Sequence, residues 1–290
     1  MNNKINAMLL FDGISCSQVS FKKLGIVTDK CYASEIKKHA ITVTQHHFPD
    51  TIQIGDINNI DFNLYKNIFI LMGGSPCQDL SRLKVGEDRK GLQGEKSSLF
   101  FKYIEALHTI KPKYFLLENV IMDKDNEDII SDLLGVKPIR INSNLVSFQN
   151  RDRLYWTNIP NVTIPKDKNI SFQDFKDTDY EYCKKFKVNK TPSRIKMYEK
   201  QCPNVTYRDK INCLTCKQDR RNNSGLIDFE DFCRYLTTRE LELAQTIPIG
   251  YTSMLTKTQS ENVLGDCWTV DVITHILKCI PELKDIINEQ

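Results

Sequence analysis

Ile68-Phe69-Ile70-Leu71-Met72-Gly73-Gly74-Ser75-Pro76-Cys77-Gln78 is the stretch on which the reading of this chain turns. An uninterrupted apolar run stops on two glycines, the pattern of a buried strand with an abrupt end. Cys77 follows Pro76, whose ring fixes the backbone, so the thiol is held on a stiff turn. Open α/β sheets present their reactive groups at this place, outside the carboxyl ends of the strands. A second apolar run, Tyr114-Phe115-Leu116-Leu117, ends in Glu118-Asn119-Val120. With the two strands as parallel neighbours, a thiol and a carboxyl project over one sheet edge.

The pair has a defined chemical use. A thiolate adds to an electron-poor ring carbon while a carboxylic acid hydrogen-bonds or protonates the ring nitrogen, splitting one hard step into two easier ones. By its position alone, Cys77 suits a small packed side chain equally well, since cysteine is among the most buried residue types.

The strands preceding this run build outward from it. Met8-Leu9-Leu10-Phe11 reads as the first strand, followed by a polar turn over 12–17 and a short helix that stops at Gly25. A second strand over 30–34 ends at Glu35, a helix runs over 37–47 before Pro49, and Gly55-Asp56-Ile57 closes a third strand. Strand–helix–strand alternation predicts a doubly wound α/β sheet. The first turn offers Gly13 and backbone N–H groups. Glu35 lies about twenty residues on, where an acid accepts hydrogen bonds from a ribose. Ser15 and Cys16 stand where a dinucleotide fingerprint would carry further glycines.

Beyond Cys77, the polar segment 79–94 contains Gly86, Gly91 and Gly94 and reads as a long loop, which in a compact domain is usually functional. A helix over 97–108 follows. Leu145-Val146-Ser147-Phe148 and Leu154-Tyr155-Trp156 read as strands flanking Gln149-Asn150-Arg151-Asp152-Arg153. Periodicity then weakens, which suggests a catalytic and cofactor domain over 1–156 and a smaller lobe over 157–256. Residues 257–290 form a return segment whose helix, 268–280, carries Val272, Ile273, Ile276 and Leu277 on its apolar face.

The 290 residues suffice for one α/β domain and a small lobe, and 40% hydrophobic content supports a sizeable core. No run reaches the length of a membrane span and the N-terminus lacks a signal-peptide apolar region, so a cytoplasmic protein is expected. The ten cysteines are then expected as reduced thiols. Cys213-Leu214-Thr215-Cys216 has zinc-ligand spacing, with Cys202 and Cys233 as further candidates. Their irregular spacing and the lack of a second close pair favour ordinary thiols and no metal. Net charge is only +3, but between Cys183 and Leu226 twelve Lys or Arg face only Glu199, Asp209 and Asp219. That local excess is an electrostatic footprint for phosphate.

These motifs together resemble the DNA (cytosine-5)-methyltransferase family, and the resemblance covers nearly the whole chain. Phe11-Asp12-Gly13 is similar to the family's cofactor motif and Pro76-Cys77-Gln78 to its nucleophile motif. Glu118-Asn119-Val120 and the Gln149, Arg151, Arg153 series match two more. Arg234-Tyr235-Leu236-Thr237-Thr238-Arg239-Glu240, with Gln245 and Pro248, is similar to the motif that closes the recognition region. All occur in the family's order. Phe11-Asp12-Gly13-Ile14, Gly73-Gly74-Ser75-Pro76-Cys77 and Leu264-Gly265-Asp266-Cys267-Trp268 look like the animal de novo branch. The length points to a compact phage or bacterial form, the setting of restriction–modification enzymes.

The resemblance implies a Rossmann-like S-adenosylmethionine-dependent methyltransferase sheet with a target-recognition lobe, acting as a monomer on double-stranded DNA. Cys77 would attack carbon 6 of a flipped-out cytosine, and carbon 5 would then take the methyl group. Glu118, its pKa raised by burial, would bond ring N3 and the exocyclic amine. Arg151 or Arg153 would supply positive charge, and Arg153 would position either the base carbonyl or the Glu118 carboxylate. For the cofactor, which carries no phosphate and so needs no glycine fingerprint, Phe11 would stack on adenine and Glu35 hold the ribose. Asp56 and Ile57 would meet the adenine, and Leu99 would line the pocket. Asp12, Gly13, Ile14, Ile36, Ser75 and Pro76 complete that set, with Asp266, Cys267 and Trp268 at the methionine end. Gln78, Ser81, Asn119, Val120, Arg220 and Arg221 would contact the nucleic acid or shape the base pocket. Two alternatives stand beside this reading: cytosine-5 methylation of transfer RNA, and a non-catalytic DNA-binding homologue.

Overall fold

The computed structural model describes residues 4–75, 99–189, 191–192, 195–196, 199, 203–220 and 223–284. Pro76, Cys77, Gln78, Ser81, Arg221, Cys202 and the expected loop over 79–94 lie outside them. The described chain divides into two compact units. The first comprises 1–141, 152–164 and 273–290, and the second 142–151 and 165–272. The expected boundaries at 156/157 and 256/257 do not coincide with this division: 142–151 packs with the second unit, and so does the stretch 257–272.

The first unit is a seven-stranded sheet in the order β3-β2-β1-β4-β5-β7-β6. Its strands are β1 Lys4–Leu10, β2 Val27–Ser34, β3 Ile52–Gln53, β4 Ile70–Gly73, β5 Tyr114–Val120, β6 Ile139–Asn142 and β7 Asp152–Thr157. β3, β2, β1, β4 and β5 run parallel, and β7 returns antiparallel to β5. Near-continuous burial of β1, β4 and β5 explains their unbroken apolar runs, since a parallel sheet is covered on both faces. Register places Leu10 opposite both Ser34 and Gly73, and Gly73 opposite Leu117, so β1, β2 and β4 end on one line and β5 runs three residues past it to Val120.

Helices α1 Cys16–Lys23, α2 Lys38–His47, α3 Leu99–Ile110 and α4 Lys124–Leu134 connect the strands. α3 buries Phe100, Tyr103 and Ile104 against Met8, Leu10, Leu71, Leu117 and Trp156. A Cβ added at Gly73 would lie 3.0–3.1 Å from the Tyr103 ring and the Leu10 carbonyl, a fit tight enough that a neighbour must shift. α4, absent from the sequence expectations, starts at Asp123, whose carboxylate accepts from Asn126 N, and ends on Gly135 in the left-handed region. The third strand stops at Gln53 instead of reaching Ile57, because Asp56 caps a 3-10 turn over Ile57–Asn59. The expected strand over 145–148 is also replaced by a 3-10 turn, Ser143–Leu145, capped by Asn142. Its apolar residues Val146 and Phe148 are buried outside any strand, with a single backbone bridge beside them as Phe148 O accepts from Ile211 N at 2.8 Å, so a short apolar run does not specify a strand.

The second unit contains α5 Tyr180–Lys184, the hairpin β8 Ile227–Phe229 with β9 Phe232–Arg234, α6 Thr238–Ala244 and α7 Lys257–Asp266. α8, Val270–Leu277, follows within the expected 268–280 helix, and Val272, Ile273, Ile276 and Leu277 are all buried. The second unit is organised around a fully buried ion pair. Arg234 Nη1 and Nη2 donate to Glu240 Oε2 and Oε1, both at 2.8 Å. Glu240 also accepts from Thr237 N at 2.7 Å and Asp177 N at 2.8 Å, so one carboxylate caps α6 and pins the 177 loop. Removing one partner of a buried pair strands the other charge. Glu240→Ala should therefore destabilise the fold by about 3–5 kcal/mol in urea unfolding. Glu105→Ala, which breaks the exposed Lys102–Glu105 pair, should cost no more than about 1 kcal/mol.

Candidate active site

The turn after β1 is tightly wound. Phe11, Gly13 and Ser15 have φ of 57°, 60° and 58°, left-handed values that cost energy at the two non-glycine residues. Hydrogen bonds hold this geometry: Asp12 N donates to Ser34 O at 3.1 Å, and Ser15 N to Asp12 O at 3.1 Å. Glu35, at the end of β2, binds across to the turn. Its Oε2 accepts from Gly13 N at 2.8 Å, and its Oε1 from Ile36 N at 2.8 Å and Lys37 N at 2.9 Å. A carboxylate fixed by three backbone donors presents its remaining lone pairs in a set direction. Ile36 itself is exposed, Ile14 and Ile57 are buried, and Phe11 and Leu99 are half-buried against the core. Asp56 Oδ1 accepts from Asn58 N and Nδ2.

Asp12 is the unusual group in this turn. Its Oδ2 accepts from Ser15 Oγ, and Thr44 Oγ1 lies at 3.4 Å. Ser15 is in turn held by Gln18 Nε2 at 3.0 Å. Oδ1 is buried, and among the described residues nothing donates to it. Burial foremost, then the neighbouring Glu35 charge, pushes Asp12 up to about 7, although the Ser15 and Thr44 bonds oppose the rise. Burial, together with the Asp12 charge, also raises the Cys31 thiol far above its ordinary value, so this cysteine is an inert packing group.

At the next strand ends, Asn119 Nδ2 donates to Ser75 Oγ at 3.1 Å, linking the β4 and β5 termini one step before Pro76. Asn119 Oδ1 accepts from Val120 N at 2.8 Å, which locks the amide. Glu118 is 8% exposed. Arg153, on β7, places Nε 2.9 Å from Glu118 Oε1, and its Nη1 donates to Asp152 O at 2.8 Å. Val120 is the register partner of Arg153, so strand pairing itself sets the distance.

The other motif residues serve the second unit. Gln149 is fully buried: its Nε2 donates to Ala244 O at 3.0 Å and its Oε1 accepts from Leu214 N at 2.9 Å. Arg151 Nη1 donates to Gly265 O at 3.2 Å and Leu214 O at 3.4 Å, with Cys213 Sγ at 3.4 Å. Cys216 Sγ donates to Asp266 Oδ1 at 2.8 Å. Cys267 is buried and Trp268 half-buried. Of the two arginines, Arg153 is the one that meets Glu118. The basic segment is less free than its composition suggests, because Lys210 Nζ donates to the Asn144, Ser147 and Ile170 carbonyls at 2.7–3.1 Å. Arg220 is exposed, with Nε 3.7 Å from Asp219 Oδ1. Sequence reading missed the polar cluster of Gln18 and Thr44 around Asp12, which lie on helices and read there as ordinary surface residues.

The mostly parallel sheet thus carries a clamped turn after β1 and a buried carboxylate–guanidinium pair on β5 and β7. The C-5 cytosine-specific DNA methylase family model matches residues 5–282, and the chain belongs to that family. The orphan methyltransferase M.SPRI of Bacillus phage SPR is 32% identical over 165 residues, covering 52% of this chain and 37% of the relative. The type II methyltransferase M.NgoBV of Neisseria gonorrhoeae is 33% identical over 125 residues, 41% of this chain and 29% of the relative. The aligned stretches thus span about a third of each relative's length. The fold is shared with the Entamoeba histolytica methyltransferase EhMeth, at TM-score 0.76 and 16% identity, covering 97% of this chain and 98% of that one. It is shared as well with Dnmt2 methyltransferase of S. pombe, at TM-score 0.72 and 16% identity, covering 95% and 97%. Among the described residues no helix is long and apolar enough to cross a membrane.

The raised Asp12 carboxyl has a measurable consequence. Between the unfolded value near 3.8 and the folded value near 7, the folded chain keeps a proton that the unfolded chain releases. Stability of the cofactor-free protein should therefore fall as pH rises from about 4 to about 7, by an amount on the order of 2–4 kcal/mol. In Asp12→Asn this component of the pH profile should vanish, as read by urea unfolding across that range.

Proposed function

We propose that the protein methylates carbon 5 of cytosine in duplex DNA, with S-adenosylmethionine as donor and Cys77 as the covalent nucleophile. The observation that carries this reading is the buried Glu118–Arg153 pair, set on the strand that runs parallel beside the one leading into Pro76-Cys77. The residues of the β1 turn suit the donor. A buried Asp12 oxygen without a donor among the described residues fits a cationic ligand, and the fixed Glu35 carboxylate fits a ribose diol. Phe11, Gly13, Ile14, Asp56, Ile57 and Leu99 would complete that pocket. S-adenosylmethionine, when bound, supplies an electrophilic methyl group for carbon 5.

The chain's own groups do the rest. The Cys77 thiolate forms a bond to carbon 6, which moves electron density to carbon 5. Glu118, carrying a proton, donates to ring N3 and accepts from the exocyclic amine; the proton neutralises the charge that develops on N3 and returns to Glu118 when the ring is restored. Arg153 fixes the orientation of Glu118, and Asn119 with Ser75 fixes the strand ends on which both motifs are mounted. After transfer, solvent takes the carbon 5 proton, and the electrons of that bond break the carbon 6–sulfur bond, release the thiolate and restore the ring. The second unit, with the exposed Arg220 and the neighbouring Arg221, supplies phosphate contacts that position the duplex.

Cys77→Ser should abolish transfer of labelled methyl groups to duplex DNA while leaving donor affinity within about twofold, because a hydroxyl is scarcely ionised near neutral pH. Glu118→Gln should slow single-turnover transfer by about a hundred- to ten-thousandfold, the range of general acid catalysis. Transfer RNA supplied in parallel should stay unlabelled. Labelling of transfer RNA in place of duplex DNA would assign the other substrate, and turnover by the Ser variant would remove Cys77 from the reaction.

A further inference from the structure

Residues 203–209 of the second unit form a turn that is fastened on every side. Val205 N donates to Leu226 O at 2.8 Å, and Arg208 N closes the turn on Val205 O at 3.1 Å. Thr206 N donates to Asn204 Oδ1 at 2.9 Å, and Thr206 Oγ1 accepts from Asp228 N at 2.8 Å. From the other side, Gln173 Nε2 donates to Arg208 O at 2.8 Å, Phe172 N to Asp209 O at 2.7 Å, and Ser171 Oγ to Asp209 Oδ1 at 2.8 Å. Val205 and Thr206 are buried.

At the tip of this rigid turn stands Tyr207, 91% exposed, the most exposed large apolar side chain among the described residues. Its neighbours are cationic. Lys176 Nζ lies 5.8 Å from the ring centroid and is itself fixed by Thr206 O at 3.0 Å and Gln173 Oε1 at 2.9 Å. Arg208, next in sequence, is exposed. A solvated turn does not need an aromatic ring at its apex, and a floppy one would not present it in a fixed direction. A ring held out on a pinned turn, with one lysine fixed beside it and an exposed arginine next in the chain, matches the way nucleic acid is held: an aromatic face for a base, cations for the adjoining phosphates.

We infer that Tyr207 is a nucleic-acid contact of the second unit, stacking on a base that opening of the bound duplex leaves unstacked, while Lys176 and Arg208 meet the flanking phosphates. The inference rests on the DNA reading above and adds the residue that would engage the bases.

The experiment compares wild type, Tyr207→Ala and Tyr207→Phe in equilibrium binding to duplex DNA and in methyl transfer. Thermal unfolding and donor binding serve as controls. Losing one base–aromatic stack should weaken DNA binding by the Ala variant on the order of tenfold. The Phe variant should bind like wild type, and unfolding and donor affinity should be nearly unchanged in both, since the ring is 91% exposed and its one cation contact is a surface one. Unaltered DNA affinity in the Ala variant, or equal loss in the Ala and Phe variants, would overturn the stacking role. The DNA reading would still stand in either case. Wild-type protein that neither binds nor methylates duplex DNA would overturn that reading and this inference with it.

Discussion

Everything proposed for this site depends on one interaction, the ion pair of Glu118 with Arg153. A carboxylate at the end of a parallel strand is buried by its position, and burial of a lone charge is expensive. The antiparallel strand β7 resolves this by delivering a guanidinium 2.9 Å away, at a register set by backbone pairing with Val120. The charge-assisted contact of Arg153 Nε fixes one oxygen of the carboxylate, and the guanidinium is itself anchored on the Asp152 carbonyl. Glu118 is therefore oriented before any base arrives. Such preorganisation is what hydrogen-bond catalysis at a ring nitrogen requires, because no reorganisation is then needed during reaction.

The same economy of alternate residues explains how the motif Gln149 to Arg153 is used. Every second residue is polar and buried or half-buried, yet the tasks differ. Gln149 and Arg151 bind carbonyls and an amide of the second unit, Ala244, Leu214 and Gly265. Arg153 belongs to the first unit and to Glu118. With Gln149 and Arg151, the buried Arg234–Glu240 pair gives the loop-rich second unit its internal order. A region poor in regular secondary structure thereby gains fixed geometry from buried polar networks, at the cost of desolvating each member.

Much of this was legible in the sequence, for physical reasons. Strands buried on both faces must be apolar throughout, so 68–72 and 114–117 stood out, and their ends marked the site edge. The turn after β1 was legible through Gly13 and Glu35. The rest escaped because the signal was weak or shared. Val146 and Phe148 are as apolar as a strand but are buried from the loop that follows a 3-10 turn. α4 carried usable signals in Asp123 and Gly135, but exposed Ile129 and Leu133 beside buried Ile130 and Leu134 blur which face is the inner one. Arg151 and Arg153 look equivalent in a string of letters, and only the fold separates them. Lys210 counts as free charge in composition but is spent on three carbonyls. Tyr207 has no sequence signal, since exposure is a property of the turn that carries it.

The central claim is that Glu118, fixed by Arg153, prepares a cytosine for attack by Cys77. The most direct measurement is trapping on duplex DNA carrying 5-fluorocytosine, where the fluorine cannot leave as a proton does. In the presence of the methyl donor, the account predicts a denaturant-stable protein–DNA adduct whose protease-derived peptide carries the modification on Cys77, and a much slower adduct with Arg153→Ala. An adduct mapped to another cysteine, or trapping by Arg153→Ala at the wild-type rate, would contradict it.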